Sequence, residues 1–68
     1  MSRSPGEINR DRIFDYVTNN WPVTTGEIAQ ALGITPSAVG RHLGTLVRER
    51  KVAWRGGTWM PRTRIGRT

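Results

Sequence analysis

The sequence has no cysteine, a single histidine and no long apolar run. Without cysteine, disulfides, thiolate metal sites and cysteine nucleophiles are excluded, which fits a reducing compartment. The histidine, His42, has no further ligands spaced around it, and no nucleophile–base pair is present, so we predict no metal site, no cofactor and no enzymatic activity. A membrane span would need roughly 18 apolar residues, and residues 1–6 lack the apolar stretch of a secretory signal. These absences predict a cytoplasmic protein.

The positive charge is concentrated in the second part of the chain. The 68 residues carry a net charge of +6, and the pI is about 11.6. Residues 1–40 hold three arginines against four carboxylates, which gives −1, whereas residues 41–68 hold seven arginines and Lys51 against Glu49 alone, which gives +7. A pI above about 9 is typical of nucleic-acid binding. Charge alone leaves two alternatives open, namely a basic protein with no specific partner and an arginine excess that reflects a GC-rich genome.

The chain length predicts one domain with a modest core, and we expect no second, ligand-sensing domain. Apolar spacing predicts a first helix from Gly6 to about Asn20, in which Ile13 and Val17 form an i, i+4 pair. Residues 1–5 are expected to form a disordered arm. Trp21 is expected to fold back over the core as a lid.

A second helix and a tight turn follow. Thr24 and Glu27 match the capping box, in which the threonine caps the backbone and the glutamate reaches back. Gly33 then ends the helix in a left-handed conformation. Thr35 is a good N-cap and Pro36 stands at the favoured first helical position. About three residues therefore join two short helices, as in a helix-turn-helix motif.

The third helix, residues 36–49, has two distinct faces. One face carries the apolar residues Val39, Leu43, Leu46 and Val47 at i, i+4, i+7 and i+8. The other face carries small, polar and basic residues: Ser37, Gly40, Arg41, Gly44, Thr45 and Arg48. Such a face packs poorly in a core but suits a close approach to a phosphate backbone, with a few side chains reaching base edges. This favours the recognition helix of a small DNA-binding module.

After residue 50 the pattern alternates as in a strand. Residues 51–55 and 58–60 flank two glycines at 56 and 57, which signal a two-residue hairpin turn of type I′. This register pairs Trp54 with Trp59 on the same face as Val52. Because an isolated hairpin is marginal in water, we expect that face to pack on the helices. Pro61 is expected to end the pairing, and residues 61–68 are expected to form a flexible basic tail. The domain itself is then residues 6–60.

This order of elements resembles the winged helix-turn-helix fold, and more narrowly the bacterial repressor families typified by the arsenic-responsive and multiple-antibiotic-resistance regulators. The similar residues are Glu27-Ile28-Ala29 with Leu32-Gly33-Ile34, then Thr35-Pro36-Ser37-Ala38-Val39, then Arg41-His42-Leu43 with Leu46. The resemblance covers about residues 10–60. It implies a mainly α fold with a small β-hairpin, and sequence-selective binding of double-stranded DNA by a transcriptional regulator. Two features depart from these families: Gly40 replaces a usual Ser or Thr, and Arg50-Lys51 replaces a usual Gly-Leu.

The residues predicted to contact DNA follow from this interpretation. On the third helix they are Ser37, Ala38, Gly40, Arg41, Gly44, Thr45 and Arg48, and Arg41 is the strongest candidate for a base or phosphate contact. Arg55, before the glycine tip of the wing, is a candidate for the minor groove or its flanking phosphates. Arg62 and Arg64 in the tail are candidates for backbone contacts. The outward glycines each cost roughly 0.5–1 kcal/mol relative to alanine, which suggests either close backbone approach to DNA or simple tolerance.

We therefore predict a cytoplasmic, nucleoid-associated regulator, prokaryotic or phage-encoded, that binds double-stranded DNA and no small-molecule ligand. A homodimer or a protein partner stays open, because a single module reads a short site. One alternative is a winged-helix interaction module whose basic face binds an acidic surface of another protein. Another is an RNA or single-strand binder that stacks bases on Trp54 and Trp59, although their expected place over the core favours packing.

Overall fold

The computed structural model describes residues 4–62 as three helices followed by a hairpin. The elements are α1 (Pro5–Asn20), α2 (Thr25–Leu32), α3 (Pro36–Arg48), β1 (Val52–Arg55) and β2 (Thr58–Pro61). The two strands are antiparallel. This architecture confirms the predicted fold class, a mainly helical winged helix-turn-helix. No helix within residues 4–62 has the length and apolar character that a membrane crossing needs.

The first helix begins earlier than predicted, at Pro5. The Ser4 hydroxyl accepts a hydrogen bond from the Glu7 N–H at 3.2 Å, and the Glu7 carboxylate accepts one from the Ser4 N–H at 3.3 Å. This reciprocal capping box pairs N–H groups that a helix start leaves open, and Pro5 stands where a missing N–H costs nothing. Ser4 and Pro5 therefore belong to the folded domain, which corrects the predicted arm of residues 1–5. Residues 1–3 lie outside the described part.

The second helix is bounded as predicted. Thr24 Oγ1 accepts from the Glu27 N–H at 3.1 Å, and Glu27 Oε1 accepts from the Thr24 N–H at 2.8 Å. Gly33 ends the helix with φ 70°. Two residues later, Thr35 Oγ1 accepts from the Ala38 N–H at 3.2 Å and caps the third helix. The connection between the two helices is thus short and fixed at both ends, which sets their relative orientation.

Two glycines of this region should respond oppositely to alanine. Gly33→Ala is expected to lower the free energy of unfolding by roughly 1–2 kcal/mol, because a Cβ is unfavourable in the left-handed conformation. Gly26→Ala, within α2, should raise it by about 0.5 kcal/mol, since the nearest atom to an added Cβ is Thr24 Oγ1 at 4.0 Å. Thermal unfolding followed by circular dichroism measures both, at about 4–8 °C per kcal/mol. If both variants shift the midpoint of unfolding in the same direction, the interpretation of Gly33 as a left-handed helix end is wrong.

The core lies where the three helices and the hairpin meet. Its buried members are Ile13 and Val17 of α1, Val23 between α1 and α2, Ile28 and Ala29 of α2, Val39, Leu43 and Leu46 of α3, and Val52 of β1. The sequence predicts Val47 in the apolar stripe, and that prediction is wrong, because its side chain is 42% exposed. It points roughly 80° away from Val39 around the helix axis, beyond the arc that Val39, Leu43 and Leu46 already fill.

Trp21 is not the predicted lid. Its side chain is 51% exposed, whereas Val23 is 4% exposed and fills the core at this end of α1. Trp21 caps the helix in an extended conformation, with φ −62° and ψ 148°, because the following Pro22 disfavours helical backbone at the preceding residue. The chain therefore leaves the helix before the tryptophan, and the smaller valine takes the buried position.

The hairpin has the predicted register. Trp54 lies opposite Trp59 and Arg55 opposite Thr58, and the two turn glycines have φ 58° and 87°, as a type I′ turn requires. An unpredicted bridge extends the sheet on the other side of β2. The Val23 N–H donates to the Trp59 carbonyl at 3.4 Å, and the Trp59 N–H donates to the Val23 carbonyl at 2.7 Å. This bridge ties the wing to the segment between α1 and α2.

Pro61 does not end the pairing, in contrast to the prediction. It lies opposite Val52 within β2, and the next N–H, that of Arg62, donates to the Lys51 carbonyl at 2.8 Å. Hydrogen-bonded and non-hydrogen-bonded pairs alternate along an antiparallel ladder. Pro61 occupies a non-hydrogen-bonded position, so its missing N–H would point away from β1 and removes no bond from the hairpin. The predicted tail of residues 61–68 therefore loses Pro61 to the strand, and residues 63–68 lie outside the described part.

Candidate nucleic-acid interface

The seven predicted residues of α3 lie on or beside its exposed face. Ser37, Gly40, Arg41, Gly44 and Arg48 are exposed, while Ala38 and Thr45 are half-buried at its border. This face is opposite the fully buried Val39, Leu43 and Leu46, so packing of the core fixes the rotation of the helix about its axis. The sequence therefore predicted correctly which side of α3 faces solvent, although it extended the helix one residue too far, because Glu49 is the C-cap.

The arginines of α3 point in nearly the same direction. Arg41 and Arg48 are seven residues apart, so their directions differ by about 20° and their positions by about 10 Å along the axis. The Arg41 carbonyl accepts a bond from Thr45 Oγ1 at 3.5 Å, which turns the Thr45 hydroxyl toward its own helix. Thr45 is therefore less available for an external contact than the two arginines.

The surface between these arginines is smooth. A Cβ atom built on Gly40 or on Gly44 would have no heavy atom within 4 Å among the contacts that the structure describes. The fold itself therefore does not require glycine at either position. Another surface can approach the backbone of α3 here more closely than at any residue with a side chain.

The basic side chains around this face have no internal partners. Within residues 4–62, the guanidinium groups of Arg41, Arg48, Arg50, Arg55 and Arg62 make neither a hydrogen bond nor an ion pair, and all five side chains are exposed. Lys51 differs, because its Nζ lies 3.7 Å from Glu49 Oε1 and 5.8 Å from the centroid of the Phe14 ring. These five guanidinium groups without internal partners thus lie on α3, in the turn that follows it, on the wing and directly after β2.

Arg55 is positioned by the hairpin turn. Thr58 Oγ1 donates to the Arg55 carbonyl at 3.0 Å, and Gly56 and Gly57 follow it directly. Because the turn is only two residues long, Arg55 is the last side chain of β1 before the tip of the wing. The predicted tail residue Arg62 is exposed and adjoins Lys51 through the backbone hydrogen bond described above. Arg64 lies outside the described residues.

The two tryptophans of the wing differ in exposure. Trp59 is half-buried against the core, and its Nε1–H donates to Thr25 Oγ1 at 3.0 Å. Trp54 lies against it, with ring centroids 4.8 Å apart and planes tilted by 57°, but Trp54 is 53% exposed. The packing prediction is therefore confirmed for Trp59, which lies on the inner strand and reaches Thr25 of α2, and wrong for Trp54, which lies on the outer strand close to the turn.

His42 lies at the border of the buried face of α3. It is half-buried, and its Cε1 lies 3.9 Å from where a Cβ of Gly6 would stand. The imidazole therefore packs near the start of α1. Within residues 4–62 it belongs to no cluster of three or more side chains able to hold a metal ion.

Arg50 lies outside the predicted set, although it shares the exposed basic end of α3. It is two residues beyond Arg48 and has φ 62°. The sequence feature that points to this position is that Arg50-Lys51 replaces the Gly-Leu usual in the families that the sequence resembles. The sequence alone gives no backbone angle for that position.

Comparison with known protein families identifies a family whose model matches this arrangement of helices and hairpin. The family model of the IclR helix-turn-helix domain matches residues 12–56, more than half of the chain, from within α1 to the first glycine of the wing turn. Comparisons with curated proteins and with solved structures gave no match. The family match agrees with the predicted winged helix-turn-helix class. It does not extend to the narrower resemblance to arsenic-responsive and multiple-antibiotic-resistance regulators.

Proposed function

The chain belongs to the IclR family of helix-turn-helix domains, which bind DNA sequence-specifically in transcriptional regulators, and we propose that α3 is the helix that enters the major groove. The observation that supports this most is its outward face, which combines two glycines with arginines that lack internal partners. A major groove about 12 Å wide admits one helix. The turn between α2 and α3 presents the N-terminal part of α3, with Ser37 and Ala38, to the base edges.

Arg41 is the residue proposed to read sequence. It is exposed in the second turn of α3, and its guanidinium group has no partner among residues 4–62. An arginine in this position can donate two hydrogen bonds to the O6 and N7 atoms of guanine, which is the commonest specific contact in the major groove. Ser37, Gly40, Gly44 and Thr45 offer few other donors, so base reading is sparse and rests mainly on Arg41.

The remaining arginines are proposed to bind the sugar–phosphate backbone. Arg48 lies in the last turn of α3 and Arg55 beside the tip of the wing, and both side chains are exposed. Arg62 follows β2, and Arg64 extends the same basic segment. Each phosphate contact releases counterions and contributes about 0.9 to the slope of log K against log salt concentration. Four such contacts would give a slope of roughly −4.

The proposed biological role is control of transcription, by repression where the bound protein covers a promoter. A single domain reads a short site, so we propose that two copies, or one copy with a protein partner, occupy the full operator. Binding to DNA needs neither a catalytic group nor a small-molecule ligand. The protein would act at the nucleoid, in the cytoplasm of a prokaryote or in a phage-infected cell. A role close to that of the arsenic-responsive or multiple-antibiotic-resistance regulators remains a proposal based on sequence resemblance.

A selection from a random-sequence duplex library tests this function. The wild-type protein should retain duplexes at low salt and enrich a short motif. Arg41→Ala is expected to bind the enriched site about ten-fold more weakly, a loss of roughly 1.4 kcal/mol, and to lose preference at one or two base positions. Arg10→Ala removes the same side chain from α1, and it should enrich the wild-type motif.

Three outcomes would contradict parts of this proposal. If no duplex is retained at low salt, DNA binding by this surface is wrong. If Arg41→Ala enriches the same motif with the same affinity, another residue reads the sequence. If single strands outcompete duplexes and Trp54→Ala abolishes binding, the protein is a single-strand binder that uses its exposed indole.

A further inference from the structure

One residue at the end of α3 has a backbone conformation that disfavours its own side chain. Arg50 has φ 62° and is the only non-glycine residue with positive φ among residues 4–62. The Arg50 N–H donates to the Val47 carbonyl and the Lys51 N–H donates to the Leu46 carbonyl, both at 2.9 Å. These two bonds define the Schellman motif, in which the left-handed residue is usually glycine. A residue with a Cβ atom costs stability at this position.

No contact within the described domain compensates that cost. The Arg50 side chain is exposed and makes no hydrogen bond or ion pair with residues 4–62. Its neighbour Glu49 is engaged with Lys51 instead. A cation near a helix C-terminus is favourable, but Arg48 already occupies the last turn. The free domain would therefore be more stable with glycine at this position, and strain that the fold does not need points to a role outside the fold.

We infer that Arg50 binds a DNA phosphate next to the major groove that α3 enters, an inference that rests on the proposed function. The left-handed turn lies at the junction of α3 and the wing, where the basic surface would otherwise be interrupted by the Glu49–Lys51 pair. Arg62 adjoins the same junction through its bond to the Lys51 carbonyl. Arg50 thus connects Arg48 on the helix with Arg62 at the end of the sheet in one continuous series of phosphate donors.

The test separates the side chain from its backbone conformation. Arg50→Gly removes both the charge and the strain, while Arg50→Ala removes the charge and keeps the strain. With a fixed duplex of arbitrary sequence and a fluorescent label, both variants should bind about eight-fold more weakly at 0.1 M salt, and the salt slope should fall by about 0.9. Arg50→Gly should nevertheless melt about 4–8 °C above Arg50→Ala. A gain in stability joined to a loss of binding is not expected from a structural role.

Matched variants make each result decisive. Arg50→Lys keeps charge and strain and should retain most of the affinity and the full salt slope. Arg10→Ala loses one positive charge on α1, which packs on the inner side of α3, and its salt slope should equal that of the wild type. If the wild type binds the duplex and both Arg50→Gly and Arg50→Ala bind equally well with an unchanged slope, Arg50 contacts no phosphate and only this inference fails. If the wild type itself binds no duplex at low salt, the proposed function fails as well.

Discussion

Replacing Leu43 by alanine is expected to unfold a large fraction of the protein at ordinary temperatures. Its side chain is fully buried where α3 packs on the other two helices, and a leucine-to-alanine change in a core costs roughly 2–5 kcal/mol. A domain of this length has only about 3–10 kcal/mol of stability. The midpoint of thermal unfolding, followed by far-ultraviolet circular dichroism, should therefore fall by on the order of 10–30 °C.

Val47→Ala is the matched control for this prediction. The sequence placed Val47 in the same apolar stripe as Leu43, but the structure exposes 42% of it. Its truncation should change the free energy of unfolding by less than about 1 kcal/mol. Similar losses in the two variants would mean that α3 is rotated toward Val47. Such a rotation would also move Arg41 and Gly44 away from the centre of the outward face, so this stability measurement tests the proposed interface as well.

Features set by neighbouring residues could be predicted from the sequence. The cap at Thr24 and the left-handed Gly33 depend on side chains and backbone within one turn, and both agree with the structure. The same local rule applies to Ser4 and Glu7, where the capping box is equally visible in the sequence. The prediction of a disordered arm over residues 1–5 overlooks this capping box, although Pro5 stands at the favoured first position of the helix.

Features that depend on distant residues could not be predicted in the same way. The bridge between Val23 and Trp59 joins residues far apart in the chain, and the single extended residue Val23 has no alternating pattern that would reveal a strand. Alternation also placed Trp54 and Trp59 correctly on one face, but it contains no information on which strand is outermost. The exposure of Trp54 near the turn, and the burial of Val52 on the same outer strand, become visible only in the folded structure.

The candidate interface likewise contains features that local sequence predicts and one that it does not. Helical periodicity sufficed to place Arg41, Gly44 and Arg48 on one side of α3, because the period of the helix is fixed. The conformation of Arg50 was out of reach, because glycine is the residue that ordinarily signals a left-handed helix end. An arginine in that position gives no local signal beyond its departure from the usual glycine of the similar families, and the φ of 62° together with the hydrogen bonds to Leu46 and Val47 reveals the conformation.

Gly44→Gln is expected to stabilise the free domain and to weaken its binding to duplex DNA by on the order of a hundred-fold, about 2.8 kcal/mol. The stabilisation, about 0.5–1 kcal/mol, follows from the higher helix propensity of glutamine, since nothing in the described structure lies within 4 Å of an added Cβ. The loss of binding follows because Gly44 lies one turn beyond Arg41. A long side chain there would hold the backbone of α3 away from the groove and remove several contacts together.

Two further variants serve as controls for the prediction on Gly44→Gln. Ala31→Gln adds a similar side chain at an exposed position of α2 and should leave duplex binding unchanged, whereas Gly44→Ala should stabilise the domain and weaken binding less than Gly44→Gln does. Fluorescence anisotropy with the enriched duplex measures the affinities, and thermal unfolding measures the stabilities. If Gly44→Gln is more stable and still binds as tightly as the wild type, the glycines are merely tolerated and this face of α3 does not approach DNA closely. A loss of affinity that grows with the size of the side chain would instead show that the backbone at Gly44 lies against the DNA. Close approach to the DNA would then explain why glycine stands here although it lowers the stability of the helix.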